Sequence, residues 1–129
     1  MASIFTRIIE GSIPCYKIAE SDDCFAFLDI APVRLGHTLV IPKVEVDDLF
    51  ELEDEMLAKM LPFAKEVARK IKAVIPCNRV GLSVVGLEVP HAHIHLLPIN
   101  GLQDIDLGAP KLTLSPEEFS ALAERIRNA

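Results

Sequence analysis

The chain has 129 residues, half of them apolar, which suffices for one domain with a core of its own. Nineteen acidic against thirteen basic residues leave a formal net charge of -6, which argues against a nucleic-acid backbone as a general partner. No apolar stretch approaches the roughly 20 residues that span a bilayer, and MASIFTRIIEGSIP lacks the long apolar core of a signal peptide, so no membrane partner and a cytoplasmic location are expected.

In chain order, Ile4, Ile8 and Ile9 stand at helical spacing, and Gly11 and Pro14 end that segment. Tyr16 to Glu20 and Cys24 to Asp29 are short apolar runs joined by Ser-Asp-Asp, which predicts a hairpin. Ala31-Pro32-Val33-Arg34-Leu35-Gly36 reads as a loop, and HTLVIP after it as a third strand. From about Asp54 to Ile75, Met56, Leu57, Met60, Leu61, Ala64, Val67, Ala68, Ile71 and Val74 recur at three and four, predicting one long helix bent near Pro62.

Arg79 to Val85 and His91 to Leu97 read as two further strands, and Ser115-Pro116-Glu117-Glu118 opens a helix to about Arg127 with a capping box. Consecutive strands without a helix between each pair predict an α+β fold with a mainly antiparallel sheet of about five strands. The absence of repeats, low-complexity tracts and linkers makes residues 1–129 a single domain. Cys15, Cys24 and Cys77 are odd in number and widely spaced, the pattern of reduced thiols.

The chemistry concentrates in PHAHIHLLP, residues 90–98, which holds three of only four histidines at alternate positions. On a strand, His91, His93 and His95 would share one face, roughly 6 to 7 Å apart, while Ala92, Ile94 and Leu96 face the core. Three adjacent imidazoles are a poor packing choice, because each has polar nitrogens to satisfy. Two functional readings remain. One is a metal site, which wants a further ligand that the following residues do not supply at short spacing. The other is nucleophilic and acid/base chemistry, with one imidazole attacking while another handles a proton. The fourth histidine, His37, opens the third strand beside Asp29 and Arg34, so all four could meet in one pocket if that strand lies near the triad.

HAHIHLL resembles the H-x-H-x-H signature of the histidine triad (HIT) nucleotide-binding family, and residues 4–43, IFTRIIEGSIPCYKIAESDDCFAFLDIAPVRLGHTLVIPK, resemble the N-terminal half of its members. The resemblance covers nearly the whole chain. It implies an α+β fold whose protomers join their sheets into a homodimer. It also implies nucleotidyl transfer to water from a purine nucleoside 5'-phosphate derivative, a phosphoramidate or a dinucleoside polyphosphate, with no cofactor. His93 would be the nucleophile that carries the nucleotidyl intermediate, His95 would bond a phosphate oxygen or the leaving atom, and His91 would orient the site. Asp29 would hold ribose hydroxyls, Ile30 would pack near the base, and His37 would join the pocket. The alternative is a nucleotide-binding regulatory protein with little turnover.

Two departures stand out. Many bacterial relatives bind structural zinc through C-x-x-C near the start, a later histidine and a triad histidine. This chain has Ser3, Thr6 and Glu45 at those first three places. A hydroxyl is a much weaker zinc ligand than a thiolate, so no structural zinc is expected, and packing of Ile4, Phe5 and Ile8 is expected to hold the N-terminal segment. The loop before the triad is contracted to SVVGLEVP, with Leu87 for the family's amide residue and Glu88 for its hydroxyl residue. Glu88 would either assist an amine leaving group, repel a phosphate, or point to solvent.

Overall fold

The computed structural model describes residues 2–129. Helix α1 (Ile4–Ile9) precedes the hairpin β1 (Lys17–Glu20) and β2 (Cys24–Leu28), then β3 (Thr38–Pro42), the long helix α2 (Asp54–Val74), β4 (Arg79–Ser83), β5 (Ile94–Ile99) and helix α3 (Pro116–Arg127). The five strands form one sheet in the order β1-β2-β3-β5-β4, and all four pairings are antiparallel. The α+β architecture therefore matches the expectation from sequence.

Period-two alternation divides the central strands between two cores. Cys24, Ala26, Leu28 and Val40 face the larger core, which is completed by Met60, Ala64, Val67 and Ile71 of α2 and by Phe119, Leu122, Ala123 and Ile126 of α3. Phe25, Phe27, Leu39 and Ile41 face a smaller core closed by Phe5 of α1. Both faces of β2 and β3 are consequently buried. Ala92, Ile94 and Leu96 belong to the larger core, as their alternation with the histidines predicts, so His93 and His95 fall on the side of the smaller one.

Two local readings change. Helix α2 runs through Pro62 as one 21-residue element, as expected, but Leu61, read as part of its apolar stripe, is 61% exposed, because Met60, Ala64, Val67 and Ile71 already fill the stripe that meets the sheet. The fifth strand starts at Ile94, so His91 and His93 precede it. Its ladder with β3 stops at Val40↔Ile94 because the next groups are used elsewhere: Ala92 N–H donates to Val46 O at 2.7 Å, and the His91 ring bonds Pro42 O. Helix α3 begins as expected, with Ser115 and Glu118 forming a reciprocal capping box.

Candidate active site

Gly36 sets the position of His37. Its φ of +87° is left-handed backbone, and a Cβ there would collide with the Ile75 side chain, so only glycine fits the approach to β3. His37 then lies beside β5, because β3 pairs Thr38 with Leu96 and Leu39 with His95. The His37 and His95 ring centroids are 5.2 Å apart, and those of His95 and His93 are 5.0 Å apart. The three rings share a cleft of about 320 Å³.

Hydrogen bonds fix which ring atoms carry protons. The Val33 N–H donates to His37 Nδ1 at 3.2 Å, so the His37 proton sits on Nε2, 2.9 Å from His95 Nδ1. His95 Nδ1 thus accepts, which places its own proton on Nε2, the free donor of a ring that lines the cleft. At His93, Nδ1 lies 2.7 Å from the His91 carbonyl, which can only accept. His93 therefore carries its proton on Nδ1 and keeps an unshared pair on Nε2. The cleft presents a nucleophilic nitrogen beside an N–H donor.

Electrostatics keep the His37 and His95 rings neutral. Burial, then the neighbouring His37 and His93, lowers the His95 pKa to about 4. Burial also lowers the pKa of His37, against the opposing pull of Asp29. Asp29 accepts the Ala31 N–H on Oδ1 at 2.9 Å, the turn-forming contact, while its Oδ2 stands 3.5 Å from His37 Nε2. It is at once a turn former and a cleft residue.

The sites predicted from sequence divide clearly. His93, His95, His37, Asp29 and Glu88 all line the cleft. Ile30 does not: it is 72% exposed next to the cleft residues Asp29 and Ala31. His91 is fully buried and lies outside the cleft, so the four histidines do not meet in one pocket. Its Nε2–H donates to Pro42 O and its Nδ1 is 2.8 Å from Ser3 Oγ, both 2.8 Å contacts. Lys111 is the residue that sequence reading missed. It lines the cleft with Leu107 and Gly108, next to the Leu112 N–H that donates to Pro32 O at 2.7 Å, and its Nζ donates to Leu107 O at 2.6 Å. Nothing in an irregular loop sequence signals that contact. Lys43, by contrast, pairs with Glu20 at 2.7 Å on the surface.

Asp29, His37 and His95 also offer three potential metal-ligand atoms within 4.8 Å of one another. The two imidazole nitrogens already share a proton at 2.9 Å, closer than the separation of about 3.3 Å implied by two zinc bonds of roughly 2.0 Å in a tetrahedron. A metal would have to displace that hydrogen bond.

The family model described as the HIT domain matches residues 10–101. The chain belongs to the HIT family. It is 42% identical to the adenosine 5'-monophosphoramidase of Schizosaccharomyces pombe, over 98% of this chain and 96% of that one. Among solved structures, a HIT-like protein from Bartonella henselae superposes with a TM-score of 0.83 at 28% identity, covering 98% of this chain and 95% of the other. A zinc-bound histidine triad family protein from Mycobacterium smegmatis gives 0.82 at 25% identity, covering 99% and 92%.

Ser3, Thr6 and Glu45 converge in this HIT protein with His91 as hydrogen-bond partners. Glu45 Oε1 accepts from Ser3 N–H and Thr6 Oγ1–H, each at 2.6 Å, and these bonds bring its pKa down to about 2. The N-terminal segment is therefore held by polar contacts together with buried Phe5; Ile4 is 49% exposed and Ile8 only partly buried. The expected purely apolar anchoring is corrected accordingly.

Proposed function

We propose that this HIT-family protein hydrolyses a purine nucleoside 5'-monophosphate joined to a leaving group, through a nucleotidyl intermediate on His93. The observation that carries the reading is the pair of rings His93 and His95, centroids 5.0 Å apart in one cleft, with both Nδ1 atoms bound to protein so that His93 keeps an unshared pair and His95 an N–H on Nε2. The Nε2 atom of His93 forms a bond to the α-phosphorus as the bond to a leaving nitrogen already protonated by solvent breaks, and the Nε2–H of His95 hydrogen-bonds a phosphate oxygen while keeping its proton. Water then attacks the same phosphorus, its proton passes to solvent, and the P–N electron pair goes back to His93. No step requires a metal or cofactor.

The remaining residues fit ground-state binding. Asp29 Oδ2 accepts ribose hydroxyls, and Ile30, exposed at the cleft edge, covers the base. Lys111, which lines the same cleft, brings a positive charge for the phosphate. Glu88 lies along the rim with Leu87, where its carboxylate favours an amine over a second phosphate as leaving group. Two unit charges 4 Å apart at an effective dielectric constant of 20 differ by about 4 kcal/mol between attraction and none, enough to decide the choice. An adenosine phosphoramidate is accordingly the first substrate to try, consistent with the name of the S. pombe relative.

A homodimer completes the proposal. Strand β4 is an open sheet edge and carries exposed Leu82, followed by exposed Val84 and Val85; a second copy pairing there removes the liability of an unpaired edge. The test is AMP release from adenosine 5'-phosphoramidate and from a diadenosine polyphosphate, with and without chelator. Chelator-resistant release, faster from the phosphoramidate, is expected. AMP binding without release from either compound overturns the enzyme reading in favour of a nucleotide-binding protein.

A further inference from the structure

The polar cluster at α1 reaches the proposed nucleophile through a single buried residue. The His91 side chain is bound at both ring nitrogens, and its backbone carbonyl is the acceptor that holds His93 Nδ1–H at 2.7 Å. Proton accounting gives each partner one role. Pro42 O can only accept, so the His91 proton is on Nε2 and its Nδ1 needs a donor. The Thr6 hydroxyl, 3.4 Å away, gives its proton to the Glu45 carboxylate, which can only accept. Ser3 Oγ accepts the Thr6 N–H at 3.0 Å, and its own proton has two acceptors in reach, Thr6 Oγ1 at 3.3 Å and His91 Nδ1 at 2.8 Å; the shorter contact, to the nitrogen that has no other donor, takes it. Ser3 and His91 are both buried, so water does not replace this bond. The Phe5 ring makes T-shaped contacts with both His91 and His93, with centroids at 5.7 and 5.1 Å.

We infer that Ser3, with Glu45 behind it, is a positioning residue for the His93 reaction: its hydroxyl locks the His91 ring, and the locked carbonyl keeps the proton of His93 on Nδ1 and the unshared pair on Nε2. Glu45 contributes by orienting two donors, the Ser3 amide and the Thr6 hydroxyl, which leaves the Ser3 hydroxyl proton as the one directed to His91. Neither residue touches the cleft, so the effect falls on the chemical step and spares nucleotide binding. This role rests on the proposed nucleotidyl transfer, and one of its readouts is independent of turnover.

The experiment compares wild type, Ser3→Ala, Ser3→Thr and Glu45→Gln by kcat, KM, AMP affinity and the ¹⁵N imidazole shifts of His93. Ser3→Ala is expected to lower kcat about tenfold with AMP affinity unchanged within about twofold, and Ser3→Thr to return to within about threefold of wild type. Its His93 is expected to show a mixture of tautomers where wild type shows Nδ1–H alone. Wild-type kcat in Ser3→Ala, kcat and AMP affinity falling together, or no recovery in Ser3→Thr overturns the inference. If wild type releases no AMP, the proposed function fails by itself and the tautomer shift decides: an unchanged His93 in Ser3→Ala overturns the positioning role. Should Ser3→Ala fail to fold, Glu45→Gln at its exposed site carries the comparison, with a kcat loss of about threefold expected and no loss overturning.

Discussion

On the α1 side of His93, the ring of His91 is sealed: both nitrogens are bound to protein, no part of it is exposed, and Phe5 packs on its edge. On the other side, His95 stands at the same sequence spacing, bonds His37 through Nδ1, and turns its remaining nitrogen to the cleft. Identical residues in a symmetric pattern thus do different work. One is a buried support whose useful atom is its carbonyl, and the other a cleft residue whose useful atom is Nε2. The difference arises from what packs alongside, α1 in one case and the β3 entry loop in the other, and not from the histidines themselves.

The largest break of this contrast is His93→Ala, which removes the atom between the two sides. AMP release from adenosine 5'-phosphoramidate is expected to fall at least about a thousandfold with AMP affinity retained, measured by steady-state kinetics and calorimetry. His95→Ala removes the cleft-side hydrogen-bond donor and is expected to cost about a hundredfold in kcat; a loss confined to KM would place His95 in ground-state binding only.

Phe5→Ala tests the sealed side. Phe5 is 6% exposed and touches Phe27, His91 and His93, so its truncation is expected to destabilise the fold by about 3 kcal/mol in urea denaturation. Matching His95→Ala, which opens no sealed core, are expected changes below about 1 kcal/mol.

A smaller effect is the pH dependence of stability. His95 has a folded pKa of about 4, held down first by burial, whereas a free imidazole takes its proton near 6.5. As pH falls, the unfolded chain binds that proton first. The stability that neutral His95 contributes is complete above about pH 6.5 and is lost as the pH falls through 4. The lowered pKa values of His37 and His91 act in the same direction. The urea midpoint is expected to drop between pH 7 and pH 4.5, and to drop less in His95→Gln.

Much of this was legible in the sequence. The alternation of Ala92, Ile94 and Leu96 placed three side chains in the core, and the Ser115 capping box started α3 where it starts. Asp29, His37 and Glu88 were identified for the cleft that they line. The bottom of the site was less legible. Alternation assigns a face but not a depth, so it could not separate buried His91 from His95, nor show that the strand begins only at Ile94. Lys111 escaped because a loop has no periodicity to betray its position.

What the sequence determined by itself is what repeats locally: the helix and strand periods, the caps and turns, and the triad with its flanking loop, since each depends on neighbours a few residues away. What only the tertiary structure decided is where protons sit. The His93 unshared pair depends on the His91 carbonyl, the His91 ring on Ser3 and Pro42, and the His95 donor on His37 and, through it, Val33. Ser3 to His91 spans 88 positions and His37 to His95 spans 58. A tautomer is chosen by the atom a ring nitrogen meets, and only folding brings that atom within hydrogen-bond reach.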